Sequence, residues 1–372
     1  MELKKRRGNP TAGAMLCWIV VAGLACALGC GDAQRVVVVN GLSSAMSVVD
    51  LGLPPSVTDH FGGNTLGPSA NRVVVRGSEA FVVNSGTFGS AQNASIQVID
   101  LGSGALLRTI PLPDGDSPWT LAFVNDFKAY VTNWLSDSVT VINPRLSGPS
   151  AVIGRIQLPA TSAPAGIVVY AGRAYTSNTG LDLSTFLYGP GTVSVIDTTT
   201  DTLIDADGNP SNGEDTPVFL SGVNPQDLDV DATGDLWVVC TGDWWSVFGS
   251  VDIVDLGSLA TEATIPIGGS PGAIALGKEV ALLGDGAAAQ LFAVHLASRT
   301  VLNGPSNPIP LSTTPWSFVP DVVFDRQGEV AYALSFLDDR VFEMVYVNGR
   351  IKQRYQYGLE AGSGPAGLDL VY

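Results

Sequence analysis

The chain has 372 residues, of which 45% are apolar and only 15% charged, with 43 glycines, 23 prolines and a formal net charge of −16. The apolar content excludes a disordered polar chain, and the wealth of turn formers beside so few charges excludes a helical bundle, which leaves many short strands. The acidic excess argues against nucleic acid, whose phosphates demand basic patches.

The first segment reads as an export signal. Lys4-Lys5-Arg6-Arg7 is a cationic n-region, Ala12 to Leu28 an apolar h-region, and Gly29-Cys30 closes it. Ala27-Leu28-Gly29-Cys30 resembles the bacterial lipobox, in which the cysteine is lipidated and becomes the first mature residue; Ala27 stands where leucine is commoner, and Cys26 is a rival site. The alternative is an uncleaved membrane anchor, since the apolar run nearly reaches spanning length. Residues 1–29 then form the signal peptide, 30–34 a short tether and 35–372 the folded body. Four cations and one anion leave with the signal, so 15 basic and 34 acidic residues remain, a net charge of −19. Cys17 and Cys26 also leave, Cys30 carries lipid, and Cys240 is left without a disulfide partner.

Beyond the tether the chain repeats. A proline precedes an apolar strand at Pro68, Pro118, Pro164, Pro225, Pro271, Pro320 and Pro365, at intervals of 50, 46, 61, 46, 49 and 45 residues. A second strand follows each proline by about a dozen residues, as in Phe81-Val82-Val83-Asn84, Tyr130-Val131-Thr132-Asn133 and Tyr175-Thr176-Ser177-Asn178. A third strand ends in an acid or amide at Asp100, Asn143, Asp197 and Asp255. This period belongs to propeller blades of four antiparallel strands, a to d from the centre outward. The terminal Asn and Asp residues are expected to cap the turns that follow rather than to form a ring of ligands.

After Pro365 one inner strand remains and the chain stops. The missing second and third strands stand at the other end, as Arg35-Val36-Val37-Val38-Val39-Asn40 and Ser44-Ala45-Met46-Ser47-Val48-Val49-Asp50. The expected fold is therefore an all-β, seven-bladed β-propeller whose closing blade is shared by the N- and C-terminal strands, which removes the edges an open stack would expose. Tyr130-Val131-Thr132-Asn133 with Val-x-Val-Ile-[Asp/Asn] behind it resembles the YVTN family of β-propeller repeats, found in bacterial and archaeal surface or exported proteins. That resemblance covers residues 35–372 and implies fold rather than function, since such propellers serve binding, structural and enzymatic ends.

Motifs for chemistry are sparse. His60 lies in a glycine-rich loop and His295 ends a strand whose siblings carry Asp, so both are expected at the surface. Haem, zinc-protease and nucleophile-elbow motifs are missing from the sequence. Asp205, Asp207 and Asn209, with Glu214 nearby, offer oxygen ligands at alternating positions, as calcium requires; the pattern departs from an EF-hand and lies in the 61-residue interval, where an ordinary acidic turn is the competing reading. Four residues after their prolines stand Ala122, Val168, Asp229, Ala275, Phe324 and Asp369. If the repeats align, Asp229 and Asp369 line the central channel, as solvated carboxylates or as ligands for a cation.

Aromatic residues point to binding. In a propeller the d-to-a and b-to-c connections share one face. Trp119 and Trp316 precede inner strands, and Trp134, Trp244 and Trp245 follow second strands, so these five map to that face with Phe88, Phe186, Tyr188 and Phe248. Exposed aromatics dominate interface hot spots, though these could instead fold down to plug the loops. Trp237, within a strand, is expected in the core between blades. The mature chain enters at a second strand, on the opposite face, through a tether reaching roughly 17 Å, so the tryptophans should point away from the membrane. The resulting expectation is a lipid-anchored envelope protein that binds a protein, peptide or glycan partner. Its alternatives are an exported hydrolase or lactonase-like enzyme using channel-mouth carboxylates, or a purely structural envelope protein.

Overall fold

The computed structural model describes residues 33–209, 211 and 215–372, so the signal segment and Cys30 lie outside the described residues. Seven four-stranded antiparallel sheets follow one another, and their inner strands are Ala70–Arg76, Pro118–Asn125, Pro164–Tyr170, Pro225–Val230, Pro271–Leu276, Val322–Phe324 and Pro365–Val371. We number the blades 1 to 7 in that order. The inner strand of blade 7 pairs with Arg35–Asn40, whose other edge takes Ala45–Asp50 and then Ser56–Thr58. Val36 stands opposite Leu370 and Val38 opposite Leu368, so the two chain ends complete one sheet.

Each sheet buries both faces, and seven apolar clusters fill the seven spaces between blades. Residues 130–133 show how the repeat achieves this. Alternation sends Tyr130 and Thr132 to one side and Val131 and Asn133 to the other. Tyr130 packs with Ala174 and Ile196 of blade 3, and its hydroxyl donates to Asp201. Thr132 Oγ1 donates to the Ala165 carbonyl of blade 3 at 2.7 Å. Val131 faces Phe81 and Ile96 of blade 1. Asn133 stays within its own sheet, its Nδ2 donating to Ser138 Oγ at 3.0 Å and Thr140 Oγ1 at 2.8 Å. Trp237 occupies the interblade core as expected, with its Nε1–H on Asp231 at 2.9 Å.

The polar strand ends divide into two roles. Those of the third strands cap turns, as the sequence suggests: Asp100 accepts from Ser103 N, Asn143 from Arg145 N, Asp197 from Thr199 N and Asp255 from Ser258 N. His295 does the same, its Nδ1 accepting from Ser298 N at 3.2 Å, which is why it can replace the acid. The second-strand amides do not cap. Asn40, Asn84 and Asn178, like Asn133, donate sideways to hydroxyls of the third strand.

Two anchors need correction. The residue before the anchor accepts the first backbone N–H past the end of the paired strand, as in Trp134 N to Ser117 O, Thr179 N to Ala163 O and Thr241 N to Asn224 O. By that bond Ser85 N marks Ser69, and Phe336 N marks Phe318. The anchor positions are therefore Ala70 in blade 1, two residues after Pro68, and Val319 in blade 6, one before Pro320. Phe324 is consequently not a channel residue; it is buried in the core between blades 5 and 6, and Val323 takes the position aligned with Asp229 and Asp369. The long interval before Pro225 contains an extra hairpin, Leu181–Asp182 with Leu187–Tyr188, and an outer loop that ends in Val218–Phe219 pairing with the third strand.

Candidate binding site at the channel mouth

Each inner strand for which the pairing is continuous carries one extra residue just after its anchor, so three tiers of residues can be counted along the inner strands. The top tier is Asn71, Trp119, Ala165, Gln226, Gly272, Pro320 and Ala366. Below it stand Arg72, Thr120, Gly166, Asp227, Ala273, Asp321 and Gly367, and then Val74, Ala122, Val168, Asp229, Ala275, Val323 and Asp369. Gly367 is required where it stands, because a Cβ there would lie 2.8 Å from the Arg72 Cα.

The four carboxylates of these tiers join neighbouring blades. Asp227 accepts from Leu228 N at 2.9 Å and from Ile274 N of blade 5 at 3.1 Å. Asp229 spans the same pair of blades to Leu276 N at 3.4 Å. Asp321 reaches Leu368 N of blade 7 at 3.0 Å, and Asp369 reaches Val75 N of blade 1 at 2.7 Å. Asp229 and Asp369, the two acids that the alignment singled out, thus act as clasps between blades. Burial pushes Asp227 up to about 7 and Asp229 and Asp369 up to about 6, each against the pull of the N–H donors, and raises Asp321 as well; the Arg72 charge opposes the rise at Asp227 and Asp321.

Arg72 turns upward from this layer. Its Nη1 donates to Ala366 O at 2.9 Å and Asn71 O at 3.0 Å, and its Nη2 to Pro320 O at 3.3 Å. The guanidinium lies 5.8 Å from the Trp119 ring centroid. Above it opens a cavity of about 430 Å³ walled by Trp119, Trp244, Phe318 and Phe336, with Gln226 and Thr241 among its few polar groups. Phe318 stacks on Phe336 with centroids 4.7 Å apart, and Trp134 backs Trp119 at 6.4 Å. The volume and the apolar wall with a small polar set are what a ligand pocket requires.

Of the residues mapped to this face, Trp119 and Trp244 wall the mouth and Trp134 supports it. Trp245 and Trp316 stand around it 90% and 89% exposed, and Phe88, Phe186 and Phe248 are also exposed. They do not fold down as plugs. Tyr188 is half-buried in the extra hairpin, paired with Leu181. Asp243 presents the tip of its loop by accepting from Ser246 Oγ at 2.6 Å and from Trp245 N, Ser246 N and Val247 N at 2.9, 2.7 and 2.7 Å, bonds that hold its carboxyl far below the ordinary range, the Ser246 hydroxyl foremost. Sequence reading missed Arg72, Asp227, Asp321, Phe318 and Phe336. The spelling Asp227-Leu228-Asp229, two acids on one side of an inner strand, was the available signal for the middle tier.

The remaining expectations fall elsewhere. His60 is exposed and pairs with Glu360 at 2.5 Å. Asp207 accepts from Asn209 N at 2.9 Å and Asn209 from Ser211 N at 3.2 Å, while Glu214 lies outside the described residues. A second cleft, of about 500 Å³, opens on the opposite face between blades 1 and 2, but its charges are spent on one another: Arg76 pairs with Asp126 at 2.7 Å and Arg108 with Glu79 at 2.8 Å.

No protein-family model and no curated protein matches the chain. Solved structures do. A candidate 6-phosphogluconolactonase from Bacteroides uniformis superposes with a TM-score of 0.64 at 13% identity, over 91% of this chain and all of that one. Kuenenia stuttgartiensis hydrazine synthase gives 0.58 at 16% identity over 76% and 79%. Virginiamycin B lyase from Staphylococcus aureus gives 0.55 at 12% identity over 79% and 85%. At these identities the likeness establishes the propeller fold and nothing of activity.

Proposed function

We propose that this chain is an exported, lipid-anchored propeller of the YVTN type that acts as a non-enzymatic binding module in the cell envelope. Its ligand, a protein, peptide or glycan, docks on the tryptophan-rich face, and lipid on Cys30 holds the opposite face toward the membrane. The observation that carries this reading is the aromatic mouth, an apolar cavity walled by Trp119 and Trp244, with the exposed indoles of Trp245 and Trp316 on loops of the same face. Topology supports the orientation: Gln34 and Arg35 lie beside the Leu101 and Leu51 turns of the other face.

The enzymatic alternative would draw on Asp227 and Asp321, which lie just beneath the mouth. Both carboxylates already accept backbone N–H groups on either oxygen, which favours a clasp over a general base that must turn toward a substrate.

Replacing Trp244, Trp245 and Trp316 together by alanine should reduce capture of any envelope partner at least tenfold. Because Trp245 and Trp316 are exposed, the Trp245→Ala, Trp316→Ala double variant should melt within about 1 °C of the parent. Undiminished capture by the triple variant, in pull-downs from the solubilised envelope, would remove the basis of the proposal.

A further inference from the structure

The charged residues are distributed unequally between the two faces. Nine cations, Arg35, Arg76, Lys128, Arg145, Arg173, Lys278, Arg299, Arg326 and Arg350, stand at the entry point and the a-to-b and c-to-d turns of the face where the chain enters. Six of these are ion-paired there, to Asp50, Asp126, Asp201, Glu329, Asp235 and Glu262. Among the described residues the tryptophan face has Arg72, Arg155 and Arg340. Arg155 is neutralised by Asp116 through two bonds of 2.9 and 2.8 Å, and Arg72 is turned into the mouth and held by three carbonyls. Against these the same face carries Asp114, Asp137, Asp182, Asp243, Asp339 and Glu360 in its connecting loops.

On this basis we infer that the aromatic mouth docks a positively charged polypeptide segment, its Lys or Arg side chains lying over the exposed indoles and between the rim carboxylates while an apolar side chain enters the cavity. The inference rests on the binding-face reading above and specifies its partner. Indole faces attract cations, and no cation of the described chain lies over Trp244, Trp245 or Trp316; Arg72 covers Trp119 alone. An anionic ligand would meet one guanidinium already bound to carbonyls, with Asp227 and Asp321 beneath it. A chain of net charge −16 also steers a cationic partner toward it and repels an anionic one.

The test is fluorescence anisotropy on the full chain in detergent, with a labelled nonapeptide of three Lys-Ser-Phe repeats and its Glu-Ser-Phe counterpart. The lysine peptide should bind at least tenfold more tightly than the glutamate peptide and weaken at least fivefold between 50 and 300 mM NaCl. Trp245→Ala with Trp316→Ala, and separately Asp114→Asn with Glu360→Gln, should each weaken it at least threefold. Asp50→Asn with Asp197→Asn, on the opposite face, should leave it unchanged. Equal binding of the two peptides, or equal losses from the two faces, overturns the inference. If the tryptophan variants lose envelope capture while the lysine peptide fails to bind, the binding face stands and the cationic partner falls; if capture is undiminished, both fall.

Discussion

Deleting Pro365 to Tyr372 is expected to leave a chain with no cooperative unfolding transition. The deletion removes eight residues of 372, but it takes the inner strand of blade 7. Val36 and Val38, fully buried against Tyr332, Leu334, Leu368 and Leu370, would then face the channel along an open strand edge. Burial of Leu368 and Leu370 alone is worth about 2–5 kcal/mol each on the scale of large-to-small core changes. The same cut removes the Leu368 N–H that Asp321 holds, the Ala366 carbonyl that Arg72 holds and the Asp369 carboxylate that holds Val75 N. Together these losses rival the roughly 5–15 kcal/mol that separates folded from unfolded domains. Circular dichroism and scanning calorimetry of the truncated chain should show a broad, low-enthalpy transition or aggregation, and a melting temperature equal to that of the parent would be incompatible with the shared blade.

A second large effect is expected from pH. Asp227, Asp229 and Asp369 have folded values of about 7, 6 and 6, and Asp285 and Asp321 are also raised by burial, whereas an unfolded aspartate titrates near 3.9. Because the folded state binds these protons more tightly, they contribute stability that is complete below about pH 4, the unfolded value, and is lost as pH rises through the folded values. Turn-capping carboxylates act in the opposite sense. Asp338, held at about 2 by hydroxyls of Ser312, Thr314, Ser317 and Ser335, and Asp100, Asp197, Asp243 and Asp255, all lowered, contribute above about pH 4 and lose that contribution as pH falls through their own folded values. The melting temperature should therefore peak near pH 4 and fall by roughly 5 °C or more by about pH 7. Scanning fluorimetry at constant ionic strength would show it, and a melting temperature flat or rising from pH 5 to 8 would mean that the inner clasps ionise without cost.

The repeat and its closure were legible because they depend on period and strand chemistry, which survive the drift of individual residues. Turn caps were legible for the same reason, and His295 shows that any acceptor of suitable length serves. The channel was read only in part. Counting from a proline works where the proline is the anchor, as at Pro225, and fails where Ala70 or Val319 holds that position and the proline sits beside it. A one-residue error exchanges the two faces of a strand, which is how buried Phe324 was placed in the channel. The mouth was harder still. Trp119, Trp244, Phe318 and Phe336 come from three blades and meet only through ring geometry, and Arg72 gains its role from the carbonyls of two other blades. Asn84, Asn133 and Asn178 look like turn caps in sequence, yet each has a hydroxyl facing it across the sheet, a pairing that register alone supplies.

All assignment of faces follows from the adjacency of the two ends of the folded body, where Gln34 N–H donates to Val371 O at 2.7 Å. Its most direct test is the distance between spin labels carried by Gln34→Cys and Tyr372→Cys, measured by pulsed electron resonance, with Cys17, Cys26 and Cys30 replaced by serine and the native Cys240 left in place because it is buried. A single narrow distribution below about 20 Å, allowing for label arms spanning a few residues' length, is predicted; a broad distribution centred beyond about 40 Å would contradict the closed ring.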